Sequence, residues 1–468
     1  MDNSMGHSGN TYHYYINHHA NQCVIQCYIC VTNYALQLHE IRYNALILKG
    51  TIDTQRDHEK EWKTRKTPYP QGVFSVSIQT GPHTKTRRSH PERIDYSEKF
   101  RIFAPRRSTI HHTPMPLDKD TQHFLQLLCC GLKTAPPPAT DEAVSPESWE
   151  HIYRTAVNQG VCAITWDGVQ RLPADRQPPR ELRLRWALAA DELEKRYLRQ
   201  RQTASALAAR FAENGLRMLV LKGVGLSEDY PIPAHRECGD IDIYSFGKAE
   251  QADRVLQKIG AQLYSDVPKH SEYLWQGVQI ENHRTLLNVK RNRTEQELNA
   301  LLTGLLYREG THEAGNGMET PPATFNAIFL IRHAAVHFPK EGIVLRHLCD
   351  WACFLERHWP EVDHRQFESA MAAGRMERFA ALMTAAAIRY LGAGVPEPEH
   401  DAARLERFMQ EVFTAGPVSD KPLAKLYRKF CGPLHNRWRL RYALRTPLRR
   451  FYWDTLRAQW NEKFTVFK

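Results

Sequence analysis

From Asp118 onward, apolar residues recur every three to four positions, and the gaps between these periodic stretches mark the ends of the predicted elements. Residues 118–132 and 145–157 carry a helical period. Ser145-Pro146-Glu147 opens the second stretch as an N-cap followed by proline at the first helical position. Pro173–Pro179 is a proline-containing break, after which one long helix is expected from Arg180 to Glu213, stopped by Asn214-Gly215. The pattern then changes. Met218–Leu221 is a short continuous apolar run of the kind a buried strand shows, and Asp240–Tyr244 is a second strand. Lys248–Ile259 reads as a helix closed by Gly260, and Gln262–Tyr264 begins another strand. Tyr273–Trp275 and Val278–Asn282 flank Gln276-Gly277 as a hairpin. Beyond about Thr294 the period is helical to the C-terminus, with interruptions at 310–322 and 392–398. A small α/β unit is thus bracketed by helical regions, and there is no internal repeat.

Residues 1–114 do not share this patterning. They hold ten of the 23 histidines and almost no helical apolar period. The expectation is an N-terminal extension that is disordered or lies outside the natural start, with Met115 as the functional initiator. N-terminal sequencing of the native protein tests this, and a mature chain beginning at Met1 would refute it. Within the extension, Cys23, Cys27 and Cys30 have the C-x3-C-x2-C spacing of radical S-adenosylmethionine enzymes, and His18 and His19 add a zinc reading. An aromatic residue usually precedes the last cysteine of the cluster motif, whereas Ile29 stands there. No alternation of strands and helices follows to build the barrel, so incidental cysteines are the preferred reading.

The 468 residues allow two to four domains at roughly 100–200 residues each. At 42% hydrophobic and 25% charged, the composition excludes a collagen, a coiled-coil rod and a wholly disordered chain. Apolar runs such as Phe124–Leu132 fall short of the ~20 residues that span a bilayer. There is no signal-peptide pattern, and ten cysteines in this length are no disulfide scaffold. These features point to a soluble cytoplasmic protein. The net charge of +11 is uneven: residues 421–468 hold 13 Lys or Arg against Asp454 and Glu462. Here Arg437-Trp438-Arg439-Leu440-Arg441-Tyr442 and Arg449-Arg450-Phe451-Tyr452-Trp453 interleave cations with aromatics. Single-stranded nucleic acid, an anionic membrane surface, or a core-facing helix with snorkelling cations would each suit this pattern. The core-facing helix is preferred, with an anionic partner as the alternative.

Candidate chemistry concentrates in Leu219-Val220-Leu221-Lys222-Gly223-Val224-Gly225 and Arg236-Glu237-Cys238-Gly239-Asp240-Ile241-Asp242. Strand alternation projects Asp240 and Asp242 to one face and Ile241 and Ile243 to the other. Two carboxylates so close repel unless a cation lies between them, which suits one or two hard divalent ions. Upstream, a strand running into Gly223 and Gly225 allows backbone N–H groups to approach phosphate, with Lys222 and Arg236 as nearby cations. Glu281 can complete the acidic cluster. Metal-assisted phosphoryl or nucleotidyl transfer needs this combination. His333 and His337 share one helix face at i, i+4 and, with His347 and Asp350, form a metal site, line the nucleotide cleft or serve the core.

Lys222-Gly223, Arg236-x-x-Gly239-Asp240-Ile241-Asp242, the strand holding Glu281 and His283, and His333-x3-His337 running into Arg346-His347-Leu348-Cys349-Asp350-Trp351 together resemble an uncharacterised bacterial nucleotidyltransferase family of the polymerase-β-type superfamily. The resemblance covers the chain from about Asp118. It implies an α+β fold with a small polymerase-β-type core at 206–293, a helical region at 115–205, and a helical C-terminal domain with a basic tail at 294–468. It further implies Mg²⁺ or Mn²⁺ on Asp240, Asp242 and Glu281, the last standing where Asp is usual. The nucleotide, ATP first among the NTPs, falls to Lys222, Gly223, Gly225, Arg236 and Gly239. His283, His333, His337 and Asp350 are expected to line the cleft. The expected reaction moves a nucleoside monophosphate to an unidentified hydroxyl acceptor of a sugar, small molecule, protein or RNA, releasing pyrophosphate. Three departures weigh on it: Val224 replaces the usual Ser or Gly, leaving Ser227 to supply a phosphate-binding hydroxyl, the gap from Gly223 to Asp240 is longer than is common, and Glu281 is one methylene longer than Asp. A non-catalytic nucleotide- or nucleic-acid-binding relative is therefore the alternative reading. An Asp-x-Asp glycosyltransferase is the third.

Overall fold

In the computed structural model, residues 117–138, 144–415, 434 and 436–465 are described. The Cys23–Cys30 motif and the proposed start at Met115 lie outside them. Four helices come first: α1 (Lys119–Gly131), α2 (Pro146–Asn158), α3 (Cys162–Gln170) and α4 (Arg180–Glu213). Asp118 caps α1 by accepting the Thr121 amide at 2.8 Å, and Ser145 caps α2 through the Ser148 amide at 3.1 Å. The short helix α3 was not predicted. Its sequence is apolar nearly all round, so it shows little helical contrast, and it is buried between α1 and α4.

The sheet comprises β1 (Met218–Val220), β2 (Ile241–Tyr244), β3 (Gln262–Asp266), β4 (His270–Trp275), β5 (Val278–His283), β6 (His312–Glu313) and β7 (Met318–Thr320), in the order β3-β4-β5-β2-β1-β7-β6. The one-turn helix α5 (Val224–Ser227) follows β1, and α6 (Ala249–Lys258) follows β2. β2 runs antiparallel to β1 and parallel to β5. The β4–β5 hairpin turns on Gln276 and Gly277 at φ 52° and 75°, the pair of positive values that a tight two-residue hairpin requires. The sheet extends past the predicted core boundary at residue 293. The break at 310–322 contains the β6–β7 hairpin, and β7 lies parallel beside β1. Two strands of two and three residues are too short to leave a period in the sequence.

The rest is helical: α7 (Arg293–Arg308), α8 (Ala323–His337), α9 (Leu345–His358), α10 (His364–Gly374), α11 (Glu377–Leu391), α12 (Ala402–Thr414), α13 (Arg437–Leu444) and α14 (Leu448–Thr465). Each sheet face has its own core. Met218, Val220, Ile241, Ile243 and Ile280 pack with Leu207 and Phe211 of α4 and with Leu256 of α6. Leu219, Leu221 and Tyr244 belong to the larger core shared with α1–α3 and α7–α14. Strand alternation therefore directs Asp242 toward the helical body. In the basic C-terminal region, Leu440 and Phe451 are buried, Arg439 pairs with Glu411, and the Arg439 guanidinium lies over the Phe338 ring. The region therefore faces the core as preferred, but Arg439 is buried and ion-paired rather than snorkelling to solvent. No helix among the described residues is long and apolar enough to cross a membrane.

Candidate active site

The parallel register of β2 and β5 places Asp242 opposite Glu281, with Ile241 opposite Ile280 on the other face. Asp240 immediately precedes β2. One oxygen from each of Asp240, Asp242 and Glu281 falls within 4.8 Å of the others. The hairpin then brings Glu272 opposite Glu281 and His270 opposite His283. Four side chains of the β4–β5 hairpin, His270, Glu272, Glu281 and His283, thus share the face that carries Asp242.

Asp242 is fully buried. Lys222 Nζ lies 2.8 Å from its Oδ2 and His283 Nε2 lies 2.9 Å from its Oδ1. Burial opposes its ionisation, but the Lys222 charge and the His283 hydrogen bond outweigh burial and hold the carboxyl well below its usual range. Asp240 responds in the opposite sense: burial and then the Asp242 charge push it up to about 6. Burial works against Glu281 too, yet the His283 hydrogen bond holds it low. Three hard oxygen donors packed this closely fit a divalent cation that would relieve their repulsion.

Lys222, Asp240 and Asp242 form the floor of an open cleft of about 590 Å³, whereas Glu281 and His283, both expected there, are absent from its lining. Lys222, Gly223, Arg236, Gly239, Asp240 and Asp242 line it from the α/β unit, and Leu330, His333, Arg346, His347, Asp350, Trp351 and Met383 from the helices. Gly223 has φ +56°, and a Cβ there would stand 3.1 Å from the Asp240 carbonyl oxygen, so the Lys222–Val224 turn depends on glycine.

Other predicted residues are placed differently. Gly225 does not line the cleft, and its amide donates to the Lys222 carbonyl at 2.9 Å. Arg236 lines the cleft, but its guanidinium is clamped bidentately on Asp350 (Nε–Oδ1 2.9 Å, Nη2–Oδ2 2.8 Å), and Tyr230 donates to the same carboxylate at 2.6 Å. Ser227 is buried with its hydroxyl on the Val224 carbonyl, away from the cleft, so it does not supply the hydroxyl expected of it. His283 lies beneath the carboxylates, and burial holds the cleft histidine His333 well below its usual range. His337 points its Nδ1 at Glu341 and is absent from the lining. Sequence reasoning overlooked His270 and the cleft residue Arg346. For His270 the signal was present, since it lies two positions before Glu272 on the face that the hairpin register shares with His283.

An α+β protein with Asp242 and Glu281 on adjoining strands, Asp240 just before β2 and Lys222 just after β1, beside a cleft roofed by helices, suits a nucleotide-handling transferase. The family of uncharacterised nucleotidyltransferases matches the chain over residues 145–392, which include every cleft residue, and the chain belongs to this family. No curated protein and no solved structure matches it.

Proposed function

We propose that the chain is a metal-dependent, polymerase-β-type nucleotidyltransferase that moves a nucleoside monophosphate from an NTP, ATP first, to a hydroxyl acceptor. The observation that carries this reading is the convergence of Asp240, Asp242 and Glu281 beside Lys222, with Lys222 and the two aspartates lining the cleft. Asp240, Asp242 and Glu281 would hold Mg²⁺ or Mn²⁺, which would supply Lewis-acid charge against the negative charge that develops on the phosphate. Lys222 and Arg346 place positive charge along the path of the triphosphate, while the Arg236–Asp350 clamp holds the Gly239–Asp240 approach to β2 in register with the helices. The acceptor oxygen bonds to the α-phosphorus as the bond to pyrophosphate breaks. The acceptor's proton passes to Glu281, which like Asp240 and unlike Asp242 keeps part of its side chain exposed.

One observation favours the alternative of a non-catalytic nucleotide-binding relative: Lys222 and His283 already engage both oxygens of Asp242. Pyrophosphate release from each NTP with Mg²⁺ or Mn²⁺, with cell extract as the acceptor source, separates the two. Release that the Asp240→Asn/Asp242→Asn double variant lacks supports transfer. NTP binding by calorimetry without any release supports the binding module, and a preference for a sugar nucleotide revives the glycosyltransferase.

A further inference from the structure

We propose that His270, His283 and Glu281 form a second cation site, one for Zn²⁺ or a similar borderline first-row ion, which shares Glu281 with the carboxylate cluster. The two histidines are cross-strand partners on β4 and β5, with ring centroids 5.3 Å apart and planes at 67°. His270 Nδ1 and His283 Nε2 each lie 3.3 Å from Glu281 Oε2. In a tetrahedral shell with metal–ligand bonds of about 2.0–2.1 Å, neighbouring ligand atoms are separated by about 3.3–3.4 Å. Two edges of this triangle therefore already have the length a four-coordinate ion imposes, before any ion is considered.

The second ring nitrogen of His270 strengthens the assignment. Nε2 lies 3.0 Å from Glu272 Oε1, an acceptor that keeps the proton on Nε2 and leaves the Nδ1 lone pair facing Glu281. Nδ1 is buried and has no hydrogen-bond partner among the described residues. A lone pair and a carboxylate facing each other at this distance repel unless a proton or a metal ion joins them. Carboxylate to histidine to metal is the arrangement that orients imidazole ligands in built sites. On the other ring, a proton on His283 Nε2 serves Asp242, and loading the site moves that proton to Nδ1. Glu281 and His270 keep 22% and 15% side-chain exposure, which gives an ion a way in and leaves a fourth position for water.

Two imidazoles and one carboxylate select Zn²⁺ or Co²⁺ over Mg²⁺, whereas the Asp240/Asp242/Glu281 group consists of hard oxygens that suit Mg²⁺ or Mn²⁺. Both claim Glu281, so an ion on the histidines withdraws it from the aspartates. Inhibition of Mg²⁺-dependent turnover by Zn²⁺ follows from that competition. This consequence rests on the transfer reading, but the site itself does not.

The test is a titration of the full chain with Co²⁺ as the optical probe, in excess Mg²⁺. One Co²⁺ should give the intense visible absorption of a four-coordinate ion and be displaced by Zn²⁺. The wild-type minus His270→Ala difference spectrum separates this site from ions taken by Cys23, Cys27 and Cys30. Loss of the orienting carboxylate in Glu272→Gln should weaken Co²⁺ about 10–100-fold, and His270→Ala at least as much. Asp240→Asn should leave the spectrum in place even where it abolishes turnover, so failure of the site and failure of the transfer reading are distinguishable. Thermal melts of the variants confirm folding. Absorption that stays weak as for six-coordinate Co²⁺, or that survives His270→Ala and disappears with Asp240→Asn, overturns the proposal.

Discussion

Two aspartates separated by one residue are expected to respond to pH in opposite senses. Asp240 binds its proton more tightly in the folded chain than unfolded, at about 6 against 3.8. The associated stability is complete below pH 4 and lost as pH rises through 6. Asp240→Asn removes that loss, so at pH 8 the variant should be more stable than wild type by up to about 3 kcal/mol, with the gain gone at pH 4. Asp242, held low by Lys222 and His283, contributes stability above its unfolded value that is lost as pH falls. Asp242→Asn should therefore melt lower at pH 8, and denaturation at both pH values checks the pair. The Arg236–Asp350 ion pair is a third residue-scale case. Both side chains are over nine-tenths buried, and Asp350→Asn leaves a guanidinium uncompensated, at a cost of about 3–5 kcal/mol in urea denaturation. Arg236→Met/Asp350→Leu should recover most of that. The Arg236 guanidinium was read from sequence as a phosphate ligand because nothing local to residue 236 indicates a carboxylate on a helix more than a hundred residues away.

At the scale of elements, glycines mark where backbones meet. A Cβ on Gly168 of α3 would come within 2.0 Å of the Leu127 carbonyl oxygen of α1, and one on Gly131 within 1.9 Å of Ile164. Gly168→Ala is expected to push the two helices apart and destabilise the chain by about 1–3 kcal/mol, measured by denaturation. Gly223→Ala forces an L side chain into φ +56° at the cleft floor and should cost about 1–3 kcal/mol while weakening NTP binding in calorimetry. The long helices and the Gln276-Gly277 hairpin were legible because caps, periods and turn chemistry are local. The β6–β7 hairpin and α3 were not, one too short and the other too uniformly apolar for a period to show.

For the molecule as a whole, helix α4 ties the two cores together: Leu182 and Trp186 pack in the helical body, Leu207 and Phe211 beneath the sheet. The cleft lies where the other sheet face meets α8 and α9, so an ion bound there stabilises the folded state alone. Mg²⁺ at a hundred times its dissociation constant should add about 2.7 kcal/mol at pH 8, and nothing in the Asp240→Asn/Asp242→Asn variant. The sequence by itself determined the longer elements of the family segment, though not α3 or the β6–β7 hairpin, and the alternation that sends Asp240 and Asp242 away from Ile241 and Ile243, since period and capping act within a few residues. Only the tertiary structure decided that Glu281 and His283 lie beside Asp242, that Arg236 is held by Asp350, that Ser227 turns inward and that His270 faces Glu281. Strand register and helix docking are set by burying side chains distant in sequence, and a linear pattern does not encode which of them meet.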